Sequence, residues 1–182
     1  VKSTLPSVDA GRAITILNPL RVGAKSPNKL QKKIERLGWS RSKSEKTSVI
    51  GFVGTFSHQK RVNDFVAIAK QIVANHTRCK DVLFLLVGKE GDYSYRDIEN
   101  CFDWGEFKGK VRVEKYKHNI SQWYEAIDIL IAPAENEGFG RNIIEAIERG
   151  STVIASSSGG HGEIVYSSKI GILVEVGSID QF

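Results

Sequence analysis

The chain has 182 residues, 41% of them apolar and 26% charged, with a formal net charge of +5. That composition suits one soluble globular domain with a full core and excludes a disordered or collagen-like chain. No apolar run approaches the ~20 residues of a membrane span, and two cysteines, Cys79 and Cys101, make no disulfide framework and match no metal spacing.

The positive excess is local. Residues 25–46 hold eight Lys/Arg against Glu35 and Glu45, a net of +6, while residues 1–24 carry +2 and residues 47–182 carry −3. A basic stretch suits anionic lipid, nucleic acid or plain solvation. Trp39 is its only aromatic, so base stacking is not expected and nucleic acid is not a predicted partner. The chain starts at Val1 and contains no Met, so it reads as a piece of something longer.

Residues 1–47 are predicted to form a lead-in segment, a basic helix and a linker. Ala13 to Leu17 is strand-like, residues 27–37 have weak helical spacing, and residues 40–48 are Ser/Lys-rich. A domain over residues 48–182 follows. Strands are predicted at Val49–Gly54, Val82–Val87, Val111–Val113, Ile129–Ala132, Thr152–Ala155 and Ile170–Val174. Helices are predicted at Val62–Val73, Tyr95–Phe102, Ile120–Ile127, from Gly140 onward, and at Gly162–Tyr166. Ser178 is placed to cap one more. Short, fully apolar strands alternating with helices predict an α/β fold with a doubly wound, Rossmann-like parallel sheet. Crossovers are right-handed in such sheets, and ligands bind beyond the C-terminal strand ends. The loops after residues 53, 87, 113, 132 and 155 should therefore share one rim.

The most informative loop is Glu137-Gly138-Phe139-Gly140-Arg141-Asn142-Ile143-Ile144-Glu145. Two carboxylates bracket a Gly-aromatic-Gly turn that opens a helix. A helix N-terminus offers free N–H groups and a positive dipole end to phosphate, and carboxylates accept hydrogen bonds from sugar hydroxyls. Eight helical steps of ~1.5 Å span about 12 Å, roughly the reach from a ribose across a diphosphate to a hexose. The same residues also fit a capped surface helix, with Ile143, Ile144 and Ile147 inward and Arg141 paired with Glu145.

The longer context resembles the donor-binding signature of glycosyltransferase family 4, retaining enzymes of the two-domain GT-B architecture. That signature reads E-G-F-G, four residues, then E-A, matched by Glu137-Gly138-Phe139-Gly140 and Glu145-Ala146. Upstream, Asp128-Ile129-Leu130-Ile131-Ala132-Pro133 fits the family pattern. Downstream, so do Gly150, Thr152-Val153-Ile154-Ala155, Gly159-Gly160 and Glu163-Ile164-Val165. The resemblance spans roughly residues 48–182 and implies the C-terminal, nucleotide-sugar-binding half of a GT-B fold.

By that resemblance, Glu137 positions the donor hexose and Glu145 binds the ribose. Backbone groups of Gly138, Phe139 and Gly140 orient sugar and phosphate. The family's Gly-Arg…Lys-Gly loop appears as Gly54-Thr55-Phe56-Ser57-His58-Gln59-Lys60-Arg61. Lys60 keeps the phosphate-binding Lys, Thr55 replaces the Arg, and Arg61 is the candidate to supply a guanidinium from a shifted place. Tyr116 or His118 would stack on the base, and His161 is a candidate to approach the donor. No Asp-x-Asp is present, so no metal or other cofactor is expected. The acceptor, a saccharide or lipid-linked molecule, would meet an N-terminal domain absent here, so this chain alone should bind donor weakly and transfer nothing. A cytoplasmic location is expected, with residues 25–46 offering a contact to anionic membrane. A GT-B-fold nucleotide-sugar epimerase and a non-catalytic nucleotide-sugar-binding module are the alternatives.

Overall fold

The computed structural model describes residues 47–75, 82–116, 120–168 and 171–182. The strand, helix and linker expected before residue 47 lie outside these, as does His118.

Six strands form one parallel sheet: β1 (Ser48–Val53), β2 (Val82–Gly88), β3 (Val111–Lys115), β4 (Ile129–Ala132), β5 (Thr152–Ser156) and β6 (Gly171–Val174). Their spatial order is β3-β2-β1-β4-β5-β6. Five helices connect them: α1 (Val62–Ala74), α2 (Tyr95–Asn100), α3 (Ser121–Ala126), α4 (Arg141–Glu148) and α5 (His161–Ser168). The chain direction across the sheet reverses between β1 and β4, and this is where doubly wound folds open a crevice.

Alternation along the strands builds two cores. Val49, Val53, Leu85, Val87, Leu130 and Ala132 face α3, α4 and α5 and pack with Trp123, Ile127, Ile143, Ala146 and Ile147. Ile50, Phe52, Phe84, Leu86 and Ile131 face the other way, onto Phe65, Ile68, Ala69 and Ile98 of α1 and α2. Both faces are covered, which is why the strands read as continuous apolar runs rather than alternating ones. Gly51 belongs to this packing, since a β-carbon there would meet the Ile127 side chain at 2.4 Å.

Two side-chain-to-backbone bonds fasten β1 at its ends. Asp128 Oδ2 accepts from Val49 N at 2.9 Å. Asn142 Nδ2 donates to Val53 O at 3.1 Å. The helix expected after Ser178 is a single 3-10 turn, Ile179–Gln181, without a side-chain cap. The Ser178 hydroxyl lies instead 3.5 Å from Glu175 Oε2. Among the described residues no helix is long and apolar enough to cross a membrane.

Candidate functional site

A cleft of about 460 Å³ opens over the C-terminal strand ends at the β1/β4 reversal. Its walls come from the loops after β1, β2, β3 and β4 and from one face of α3 and α4. Glu137 and Glu145 both line it, as do Lys60, Phe139, Gly140 and Tyr116. The two carboxylates therefore share one cleft rather than opposite faces. Arg141 and Glu145 line the same cleft and form no ion pair with each other among the described residues, so the simple surface-pair reading does not hold.

Glu137 is the most constrained of these groups. Its Oε2 pairs with Lys60 Nζ, and its Oε1 accepts from Gly140 N at 3.4 Å. Burial alone would push this carboxyl up. The hydrogen bond and charge of Lys60, with help from the Gly140 N–H, outweigh burial and hold it below the ordinary carboxylate range.

The loop carrying Glu137 is clamped from behind. Gly160 N donates to Glu137 O at 2.7 Å. A β-carbon on Gly159, at φ 58°, would sit 2.0 Å from the same carbonyl. Gly140, at φ 71°, is the N-cap of α4 and gives no side-chain cap; Ile143 N is taken by Gly140 O and Asn142 Oδ1, both at 3.0 Å, while the amides of Arg141 and Asn142, residues of the cleft lining, have no acceptor within the helix. A β-carbon on Gly140 would also come 3.1 Å from His161 Cδ2 and 3.3 Å from Ile164 Cδ1.

Glu145 sits on α4 opposite Tyr124 of α3, which is buried beside it. Burial first, then the charge of Glu145 and a hydrogen bond with it, push the Tyr124 phenol far up, so Tyr124 stays a protonated donor. Arg149 Nη1 donates to Glu145 O at 3.1 Å and its Nη2 to Ser121 Oγ at 3.0 Å, tying α4 to α3.

Arg61 does not join the site. It has left-handed backbone (φ 51°). Its Nε donates to Asp64 Oδ2 at 2.7 Å and its Nη1 to Glu135 Oε2 at 3.3 Å. The guanidinium expected from a shifted place is thus held by two carboxylates, and Arg61 is not among the residues lining the cleft. Tyr116 lines the cleft and is half exposed.

His161 lies beneath the cleft, fully buried. Its Nδ1 is 3.2 Å from Ser156 O and 3.3 Å from Ser156 Oγ. A carbonyl only accepts, so Nδ1 carries the proton and Nε2, buried with no hydrogen-bond partner among the described residues, is bare. Burial depresses the imidazole pKa, against the Ser156 bond and the Glu137 charge, which favour the cation. A depressed histidine favours folding fully above the unfolded pKa of about 6.5 and loses that contribution as pH falls toward the folded value. Urea unfolding should therefore show stability dropping from pH 7 to pH 5.5. His161→Asn, which keeps a donor toward Ser156 but does not titrate, should flatten that drop.

Sequence reasoning passed over Tyr124 and Lys89, both in the cleft wall. A lysine following the apolar run of β2 and a tyrosine on the inward face of α3 were the available signals.

The chain matches the family described as glycosyl transferases group 1 over residues 47–182. It is 28% identical over 132 residues to the lipopolysaccharide core biosynthesis mannosyltransferase LpcC of Rhizobium leguminosarum bv. viciae, covering 69% of this chain and 36% of the relative. It is 25% identical over 128 residues to a GDP-mannose-dependent alpha-mannosyltransferase of Mycolicibacterium smegmatis, covering 70% of this chain and 30% of the relative. The chain thus spans well under two thirds of either relative. Among solved structures, Anabaena HepE in complex with UDP superposes with a TM-score of 0.65 at 23% identity, over 84% of this chain and 40% of that one. The C-terminal domain of the group 1 glycosyl transferase LpcC from Francisella tularensis gives 0.63 at 21% identity, over 83% and 76%. These two likenesses describe the fold.

Proposed function

The chain belongs to the glycosyl transferases group 1 family, and on that premise we propose that it is the donor-binding domain of a retaining, family 4-type glycosyltransferase. Such an enzyme moves a hexose from a nucleotide-diphosphate sugar to a glycan or lipid-linked acceptor. The observation that carries the reading is the cleft itself, with Glu137 and Glu145 in one wall and Lys60 and the uncapped start of α4 beside them.

In this reading the ribose hydroxyls donate to Glu145, held by Tyr124, and hexose hydroxyls donate to Glu137. Lys60 and the first amides of α4 take the diphosphate charge, so the site needs no resident metal. In transfer, the bond from sugar C1 to the diphosphate oxygen breaks and a bond from C1 to the acceptor oxygen forms. The acceptor hydroxyl proton passes to the departing phosphate. The transition state has oxocarbenium character, and stabilising the leaving phosphates is the main electrostatic task. Glu137 is already engaged by Lys60 and Gly140 N, which suits a positioning group rather than a nucleophile. The acceptor half of the reaction belongs to a separate domain, so transfer is a property of the longer protein. A cytoplasmic setting at an anionic membrane surface is part of the same proposal.

A thermal-shift screen with UDP-, GDP- and ADP-sugars tests this. At least one series should raise the melting temperature. Glu137→Gln and Glu145→Gln should each weaken that ligand by about tenfold, the size of one charge-assisted hydrogen bond. Indifference to every nucleotide-sugar would refute the reading.

A further inference from the structure

A donor diphosphate brings at least two negative charges into a cleft whose Lys60 is already paired with Glu137. Besides Lys60, the described residues lining the cleft include only two cations, Arg141 and Lys89. Lys89 follows β2, is exposed, and forms no ion pair among the described residues; its ammonium rests 4.8 Å from the centre of the Tyr116 ring.

The sheet register places Lys89 beside Thr55. Pairing of β1 with β2 runs up to Val53↔Val87. It continues through Gly54 N to Val87 O at 3.0 Å and Phe56 N to Lys89 O at 2.8 Å. A parallel bridge follows at Phe56↔Glu90. Positions 55 and 89 are therefore lateral neighbours, about 4.8 Å apart across the sheet, with side chains toward the same cleft. Thr55 is neutral, so the cation at this point of the rim is on β2 instead of β1.

We propose that Lys89 is the second diphosphate-binding cation of this site, standing in register for the one missing at position 55. The assignment rests on the donor-binding function proposed above. Tyr116 holds the ammonium through a cation–π contact, which at an exposed site is weak enough to be exchanged for a phosphate oxygen. Lys60 then answers to both Glu137 and the phosphate, and Lys89 to the phosphate alone.

The experiment is a titration of the chain, followed by nuclear magnetic resonance, with UDP and GDP and with uridine and guanosine as phosphate-free controls. Lys89→Ala should weaken the diphosphates by about tenfold or more and leave the nucleosides unchanged. Lys89→Ala/Thr55→Arg should regain most of the lost diphosphate affinity, which a purely structural role for Lys89 would not allow. Equal losses for uridine and UDP would overturn the assignment and make Lys89 a base contact shared with Tyr116. Unchanged UDP and GDP binding, or a double variant with native melting temperature and no recovery, would overturn it too. A wild-type chain that binds neither diphosphate would remove the donor-binding function itself.

Discussion

Gly159→Ala should weaken nucleotide binding by about a hundredfold and destabilise the domain by about 2–3 kcal/mol. Gly159 adopts φ 58°, a conformation that charges a side chain for its β-carbon. The added carbon would lie 2.0 Å from Glu137 O and 2.9 Å from Glu137 C and N. All three are backbone atoms, so no rotamer change relieves the clash. The loop must move, and the hydrogen bond from Gly160 N to Glu137 O is the first casualty. Because that loop carries Glu137 and leads into α4, a shift of about an ångström misplaces carboxylate and amides together and should weaken UDP or GDP by about a hundredfold. Urea unfolding and calorimetric titration read the two effects separately. Gly162→Ala is the control, since nothing lies within 4 Å of its added carbon. Native-like binding by Gly159→Ala would mean that the clamp does not hold the loop.

Lys60→Ala should cost at least tenfold in diphosphate affinity, through loss of a charged donor, and about 1–2 kcal/mol in stability by stranding a part-buried carboxylate. Its pH profile identifies the cause. In the wild type Glu137 is held below its ordinary pKa of 4.5, so its contribution is present above that value and is lost as pH falls through the folded pKa. Without Lys60, burial is the largest influence left and pushes the carboxyl up. The variant then loses stability as pH rises through the carboxylate range, a slope of opposite sign. Adding Glu137→Gln should restore stability and flatten the slope without restoring diphosphate binding. A Lys60→Ala profile parallel to wild type would show that the pair does not set the Glu137 charge.

The strands, the helices that cover them and the glycine turn before α4 were all legible because each is a local matter. Apolar runs, turn residues and helix spacing are written within a few residues of one another. What was not legible depends on neighbours far away in sequence. Lys89 gains its interest from lying beside Thr55, 34 positions earlier, which only strand register reveals. Arg61 carries the right charge beside the right lysine, yet Asp64 and Glu135 claim it, and Glu135 arrives from the far side of the sheet reversal. Tyr124 reads as core in a short helix, and becomes a support for Glu145 only when α3 is laid against α4. His161 reads as a rim residue after two glycines, but the turn folds it under the rim against Ser156.

The tether from Asn142 to the last carbonyl of β1 has a mechanical corollary. The amides at the start of α4 cannot drift relative to the sheet without breaking a link anchored in its central strand. A hinged flap is therefore the wrong picture for the donor binding proposed above. The start of α4 is cast with the scaffold and moves as one block with it.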